Sequence, residues 1–196
     1  MNIRSNDAAV APPPPPALFA SPPRPTVLVF ACSPVDLPDL PGVPAELQLI
    51  KDAFGDANVL AHFNATPDEL LRAVAEHKTL RLFVFLGHTD LPLGHSLLAV
   101  FADQWGCAHG ERPRTLARIL RHSSITSCYV GGCKSAGLGV LLAKAKPGME
   151  VVCWRTKLND AAAPIFGGGL YPELAAGTPL PQAFDAAKTA VEIAKQ

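Results

Sequence analysis

Apolar and polar positions along the 196 residues follow two alternating rhythms. Short runs of consecutive apolar residues are separated by stretches in which apolar side chains recur every three or four positions. The runs "TVLVFA" (26–31), "NVLAHF" (58–63), "LRLFVFL" (80–86), "ITSCYV" (125–130) and "MEVVCW" (149–154) read as strands. Their apolar residues are continuous rather than alternating, as expected of strands covered on both faces. Between them, "PAELQLIKDAF" (44–54) places Leu47, Ile50 and Phe54 on one helical face, and "RTLARILRH" (114–122) does the same with Leu116, Ile119 and Leu120. "TPDELLRAV" opens with Thr66 as N-cap, Pro67 at the first helical position and Glu69 two further on, the pattern of a capping box. A further helix is expected from about 138 to 145. Two more close the chain, over 161–176 (irregular at Gly167–Gly169 and stopped by Gly177) and 179–194. Residues 89–111 are less regular, and "SLLAVFA" within them reads as a strand or one arm of a hairpin.

This alternation predicts an α/β fold, a mostly parallel sheet with helices on both faces. Residues 26–196 form that domain. Residues 1–25, with the run Pro12–Pro16 and then "SPPRP", have little to bury and few backbone donors, so they are expected to be a disordered or polyproline II tail.

Composition narrows the function classes. Apolar residues make up 48% and charged residues 17%, and Lys+Arg and Asp+Glu are both 17, giving no basic surplus for nucleic acid. No apolar run is long enough to span a bilayer, and the N-terminus lacks the continuous apolar segment of a secretory signal. The five cysteines, odd in number and without framework spacing, are expected to be thiols in a cytoplasmic protein.

Parallel sheets bind ligands beyond the carboxyl ends of their strands, and the unusual residues of this chain fall there. The third strand ends "FVFLGHTD", with His88 after Gly87; the fourth ends "SCYVGGCKSAG", with Cys133 after two glycines. The two lie 133 − 88 = 45 residues apart with one helix between, so a right-handed crossover would set their strands side by side. A cysteine thiolate attacks, and an adjacent imidazole takes its proton and returns one to a leaving amine. The glycines would let the backbone turn tightly and aim N–H groups at an oxyanion, and the helix that follows would favour the thiolate. For Cys133 alone, burial as a small apolar residue is an equal reading; for Cys128 and Cys153, inside apolar strands, and for Cys32 it is the preferred one. His62, His77 and His122 read as surface or helix-end residues.

Other chemistries fit less well. "GGCKS" has Cys133 where a phosphate loop needs glycine before the lysine, and G-x-S-x-G is absent. No C-x-x-C pair accompanies Cys107 and His109, so no zinc site is expected and no cofactor is called for.

In order along the chain, "TVLVFACSPVDLPDLPGVPAELQLIKDAF", "LFVFLGHTD", "CYVGGCKSAG" and "VVCWRTKLNDAAAPIFGGGLYPELAAGTPLPQAFDAAK" resemble the CHAT domains, caspase-like cysteine peptidases related to separase. The resemblance spans about residues 26–190 and is most specific at Gly87-His88, Cys133-Lys134-Ser135-Ala136 and "LYPELAAGTPLPQAFDAA". It implies a caspase-type sheet with His88 as general acid/base, Cys133 as nucleophile, and an oxyanion hole from the backbone of Thr89 and of Gly132–Cys133. It also implies a protein or peptide substrate bound as an added strand, with Trp154 and Asp160 lining a pocket for a basic residue. An activating partner protein often accompanies such domains. Thr89 stands where the family usually has glycine, and Asp160 lies 160 − 154 = 6 residues after the tryptophan, a longer spacing than usual. These departures keep an alternative open, a catalytically silent peptide-binding or regulatory module.

Overall fold

The computed structural model describes residues 26–89, 98–157 and 162–194; the tail 1–25 and Asp160 lie outside them. In chain order the elements are β1 (Val27–Cys32), α1 (Gly42–Phe54), β2 (Val59–Phe63), α2 (Pro67–Glu76), β3 (Leu82–Gly87), β4 (Ala99–Ala102), β5 (Ala108–Glu111), α3 (Pro113–Arg121), β6 (Ser127–Gly131), α4 (Ala136–Ala145), β7 (Glu150–Cys153), α5 (Ala162–Ala175) and α6 (Leu180–Ile193). Five strands form a parallel sheet in the order β2-β1-β3-β6-β7, and β4 and β5 pair as a separate antiparallel hairpin.

Burial on both faces explains the continuous apolar strands. Leu28, Phe30, Phe83, Phe85, Cys128 and Val130 pack under α2, α3 and α4, whereas Val27, Val29, Val84, Leu86 and Tyr129 pack under α1, α5 and α6. Successive side chains of a strand point to opposite sides, so both sets must be apolar. From β1 the chain steps outward to β2 and then back across β1 to β3, β6 and β7. Crossovers of one hand put α1 on one face and α2–α4 on the other, as observed. All five tips thereby share one edge, and the reversal of strand order beside β1 opens a crevice there.

Several local readings hold. Thr66 caps α2 as a capping box, its Oγ1 accepting from the Glu69 N–H at 3.3 Å while Glu69 Oε2 accepts from the Thr66 N–H at 2.7 Å. The "SLLAVFA" stretch supplies β4, the buried arm of a hairpin. His77 and His122 are the residues that end α2 and α3.

Other details differ. Helix α4 starts at Ala136, two residues before the expected position. Helix α5 runs unbroken through Gly167–Gly169, because the glycines let neighbours come close rather than break it: a Cβ at Gly169 would lie 2.8 Å from Ala187 Cα of α6. His62 is half-buried on β2 rather than fully exposed; its ring stacks on Phe30 at 4.9 Å, and its Nε2 is buried. On α1 the buried stripe is Val43, Glu46, Leu47 and Ile50, so a carboxylate occupies a position expected of an apolar residue. No helix among the described residues is long and apolar enough to cross a membrane.

Candidate active site

Sheet register sets the two strand tips side by side. Strands β3 and β6 are adjacent and parallel, about 5 Å apart, with Leu86 paired to Gly131. His88 and Cys133 each follow two positions after this pair, 88 − 86 = 133 − 131 = 2, beyond the strand ends. Both line one small cavity of about 50 Å³ at the carboxyl edge of the sheet. Its remaining wall comes from Gly87, Gly131 and Gly132 at the strand tips, Leu40, Gly42, Val43 and Glu46 at the start of α1, and Ala163 of α5.

The His88 imidazole is held from the far side. Its Nε2 lies 2.9 Å from the carbonyl oxygen of Pro38, in the loop between β1 and α1. A carbonyl only accepts, so Nε2 carries the hydrogen and Nδ1 keeps the lone pair. The loop is itself pinned: Ser33 N–H donates to Asn64 Oδ1 at 2.7 Å, Leu40 N–H to Asp39 Oδ1 at 2.9 Å, and Val35 N–H to the Gly106 carbonyl at 3.1 Å. The His88 carbonyl accepts from Val100 N–H of β4 at 2.9 Å, which fixes the backbone beneath the ring.

Cys133 is half-buried, and its segment is braced by three neighbours. Thr89, 2% exposed, donates from Oγ1 to the Cys133 carbonyl, and its methyl packs against Gly132. Ser135, also buried, donates to the Val130 carbonyl at 3.1 Å and accepts from Trp154 N–H at 3.0 Å. Lys134 N–H and Ala136 N–H donate to the carbonyls of Thr156 and Trp154, each at 2.9 Å. This tie to the outgoing chain of β7 engages the N–H of the first residue of α4, which makes the helix start a scaffold for the loop.

The glycines act by size, not by unusual dihedral angles. Gly131 and Gly132 are absent from the residues with positive φ, whereas Lys134, one position past the cysteine, has φ 52°, a left-handed conformation rare for a residue with a Cβ. A Cβ on Gly132 would lie 2.7 Å from the Gly87 carbonyl oxygen and overlap the Thr89 methyl. Close approach of two strand tips is what this position demands. Thr89, Gly132 and Cys133, the three residues expected around an oxyanion, therefore do come together.

Trp154 takes a different place. Its indole Nε1 donates to Tyr129 Oη at 3.2 Å and its ring meets Phe166 edge-on at 4.9 Å. It lines a separate cavity of about 240 Å³ whose wall mixes the apolar Val152, Phe166, Phe184 and Val191 with Arg155, Lys188 and Glu192, and is not among the residues around His88 and Cys133. A depression of about 590 Å³ is at the amino ends of the strands, walled by residues such as Thr26, Arg81, Thr126 and Leu174. It contains no cysteine or histidine, so size there does not coincide with chemistry. No cluster of three metal-ligating side chains occurs among the described residues.

Thiol environments differ along the chain. Burial pushes Cys32 up to about 12, and raises Cys128 and Cys153 as well, so these three stay protonated near neutrality. No disulfide joins the five cysteines.

One residue of the cavity wall has no counterpart in the sequence reading. Glu46 is 3% exposed, and its Oε1 accepts from Tyr171 Oη at 2.6 Å. Burial drives its pKa up from 4.5 to about 7, against the lowering effect of Tyr171 and Tyr129 beside it. The available signal was its spacing: Val43, Glu46, Leu47 and Ile50 follow the i, i+3, i+4, i+7 rule of a buried face. A raised pKa means that the folded state holds the proton more tightly than the unfolded chain. The stabilisation is complete below about 4.5 and is lost as pH climbs through about 7. Relative to Glu46→Gln, the wild-type protein should lose roughly 3 kcal/mol between pH 4 and pH 8, measured by denaturant unfolding at each pH. A gap between the two proteins that stays constant with pH would contradict this assignment.

No known family model matches the chain, and no curated protein matches it.

Proposed function

We propose that this protein is a cysteine endopeptidase of the caspase-like type, with His88 and Cys133 as its dyad. The observation that carries the reading is that the two residues, just beyond the tips of adjacent parallel strands, line one cavity, with Nε2 of His88 engaged by a backbone carbonyl. An imidazole fixed in this way presents the lone pair of Nδ1 as its only basic site. The ordered resemblance of four segments to CHAT domains supports the same roles.

In the proposed cycle Nδ1 takes the thiol proton and the Cys133 sulfur attacks the scissile carbonyl carbon, forming a C–S bond. The carbonyl π pair moves to oxygen, and backbone N–H groups of Thr89 and of Gly132–Cys133 stabilise the oxyanion. Collapse expels the amine, which receives the proton back from the imidazolium, and leaves a thioester. Water, deprotonated by the same imidazole, hydrolyses the thioester to the carboxylic product and restores the thiol. No metal or cofactor enters this chemistry. A basic residue before the scissile bond, with Asp160 as its acidic partner, is part of the proposal, as is a cytoplasmic setting; Trp154, packed on Phe166 in a separate cavity, takes no part in reading it.

The test is a peptide bearing a thiol-reactive electrophile after arginine or lysine, incubated with the full chain and followed by mapping of the modified residue. Modification confined to Cys133, and slowed strongly in His88→Ala, is the expected result. Equal modification of several cysteines, or none at Cys133, would favour the silent peptide-binding module instead.

A further inference from the structure

Glu46 lies between two buried tyrosines. Trp154 Nε1 can only donate, and it donates to Tyr129 Oη at 3.2 Å; Tyr129 in turn interacts with the Glu46 carboxyl. From the opposite side Tyr171 Oη donates to Glu46 Oε1 at 2.6 Å. One hydroxyl thus donates to the buried carboxyl and a second faces it. An ionised carboxylate accepts such a bond more strongly than a neutral carboxyl does.

The group sits where the two halves of the cavity meet. Glu46 belongs to α1, whose first residues Gly42 and Val43 wall the cavity and whose preceding loop presents the Pro38 carbonyl to His88. Tyr129 belongs to β6, four residues before Cys133, and Trp154 ends the β7 segment that ties down Ser135 and Ala136. Tyr171 belongs to α5, the helix that also contributes Ala163 to the wall. Glu46, hydrogen-bonded to α5 and facing Tyr129 of β6, therefore sits on the element that orients the imidazole and against the strand that leads to the thiol.

We propose that Glu46 is a positioning residue of the site, and that its ionised form locks the histidine-bearing and cysteine-bearing sides of the cavity in register. The proposal rests on the dyad reading above. The titratable groups that face Glu46 are Tyr171 from α5, Tyr129 from β6 and, around the same cavity, His88 after β3 and Cys133 after β6. Burial raises the Glu46 pKa to about 7, so the lock engages over the neutral range. Ionising Glu46 costs stability while it aligns the site, so reactivity and stability run in opposite directions with pH.

The experiment measures the rate at which iodoacetamide alkylates Cys133 in the full-length protein from pH 5.5 to 9, by peptide mapping, in wild type, Glu46→Gln, Tyr171→Phe and His88→Ala. The ratio of the wild-type rate to the Glu46→Gln rate should be near one at the acid end and rise to roughly tenfold at the alkaline end, with a midpoint about pH 7. Tyr171→Phe removes a donor that stabilises the carboxylate, so its profile should shift to higher pH; it also serves where Glu46→Gln fails to fold. A purely structural role would lower the melting temperature and leave the ratio flat, and a flat or falling ratio overturns the proposal. If His88→Ala leaves the Cys133 rate unchanged, the dyad reading itself fails. If it slows that rate while the Glu46 ratio stays flat, only the positioning role fails.

Discussion

Replacing Cys133 by alanine should abolish cleavage of any peptide the wild-type protein cuts, a fall of at least about a thousandfold in kcat/KM. The nucleophile is the atom that forms the covalent intermediate, and neither the oxyanion donors nor His88 can substitute for it. The melting temperature should move by no more than about 2 °C, because a half-buried side chain loses a single sulfur atom at the surface of a loop. That loop is held by other groups: the Thr89 hydroxyl bonds the backbone carbonyl of residue 133, and Ser135 and Ala136 are tied to Trp154. All of these survive the substitution. Turnover of the same peptide by the alanine variant at a comparable rate would remove Cys133 from the chemistry. Unfolding of the variant would instead reveal a packing role that the structure does not suggest.

The second large effect concerns a residue with no side chain. Gly132→Ala should destabilise the protein by about 3 kcal/mol and strongly slow alkylation of Cys133. The added methyl would meet the Gly87 carbonyl at 2.7 Å and the Thr89 side chain closer still, so the β3 and β6 tips must separate. Separation moves His88 and Cys133 apart, because each follows directly on the displaced residues. Thr89→Gly in the same chain should restore part of the loss, since it removes one of the two obstacles and leaves the carbonyl. A double-mutant cycle by denaturant unfolding reads this as a favourable coupling of about 1 kcal/mol or more between positions 89 and 132. Strict additivity would show that the clash is not what the glycine avoids. The cycle also bears on Thr89 as a departure from the family pattern. Its hydroxyl and methyl hold the Cys133 segment, so a β-branched residue in this place is compatible with an assembled site.

Much of the architecture could be read without coordinates, for a physical reason that separates it from the rest. The strand runs, the helical stripes of α1 and α3, the capping box at Thr66 and the order of elements each depend on residues within one or two turns of chain. Two-sided apolar strands alternating with amphipathic helices admit few arrangements, and the short crossover from His88 to Cys133 made neighbouring tips the natural outcome. Residue types alone therefore brought a thiol and an imidazole to one edge.

What holds that pair could not be read in the same way. Pro38 and His88 are 50 residues apart, Thr89 and Cys133 are 44 apart, and Glu46 and Tyr171 are 125 apart. Such contacts depend on strand order and register, and no local period encodes them. Nothing local marks Glu46 as a partner of Tyr171 on α5, 125 positions further on. Gly132 looked like a flexible turn until the neighbouring tip filled the space where a Cβ would stand. Local pattern carries the choice of element and the exposure of its faces, because backbone geometry is settled over a few residues. The tautomer of His88, the burial of a carboxyl group and the need for a missing methyl arise only when distant segments compete for the same volume and the same hydrogen-bonding atoms.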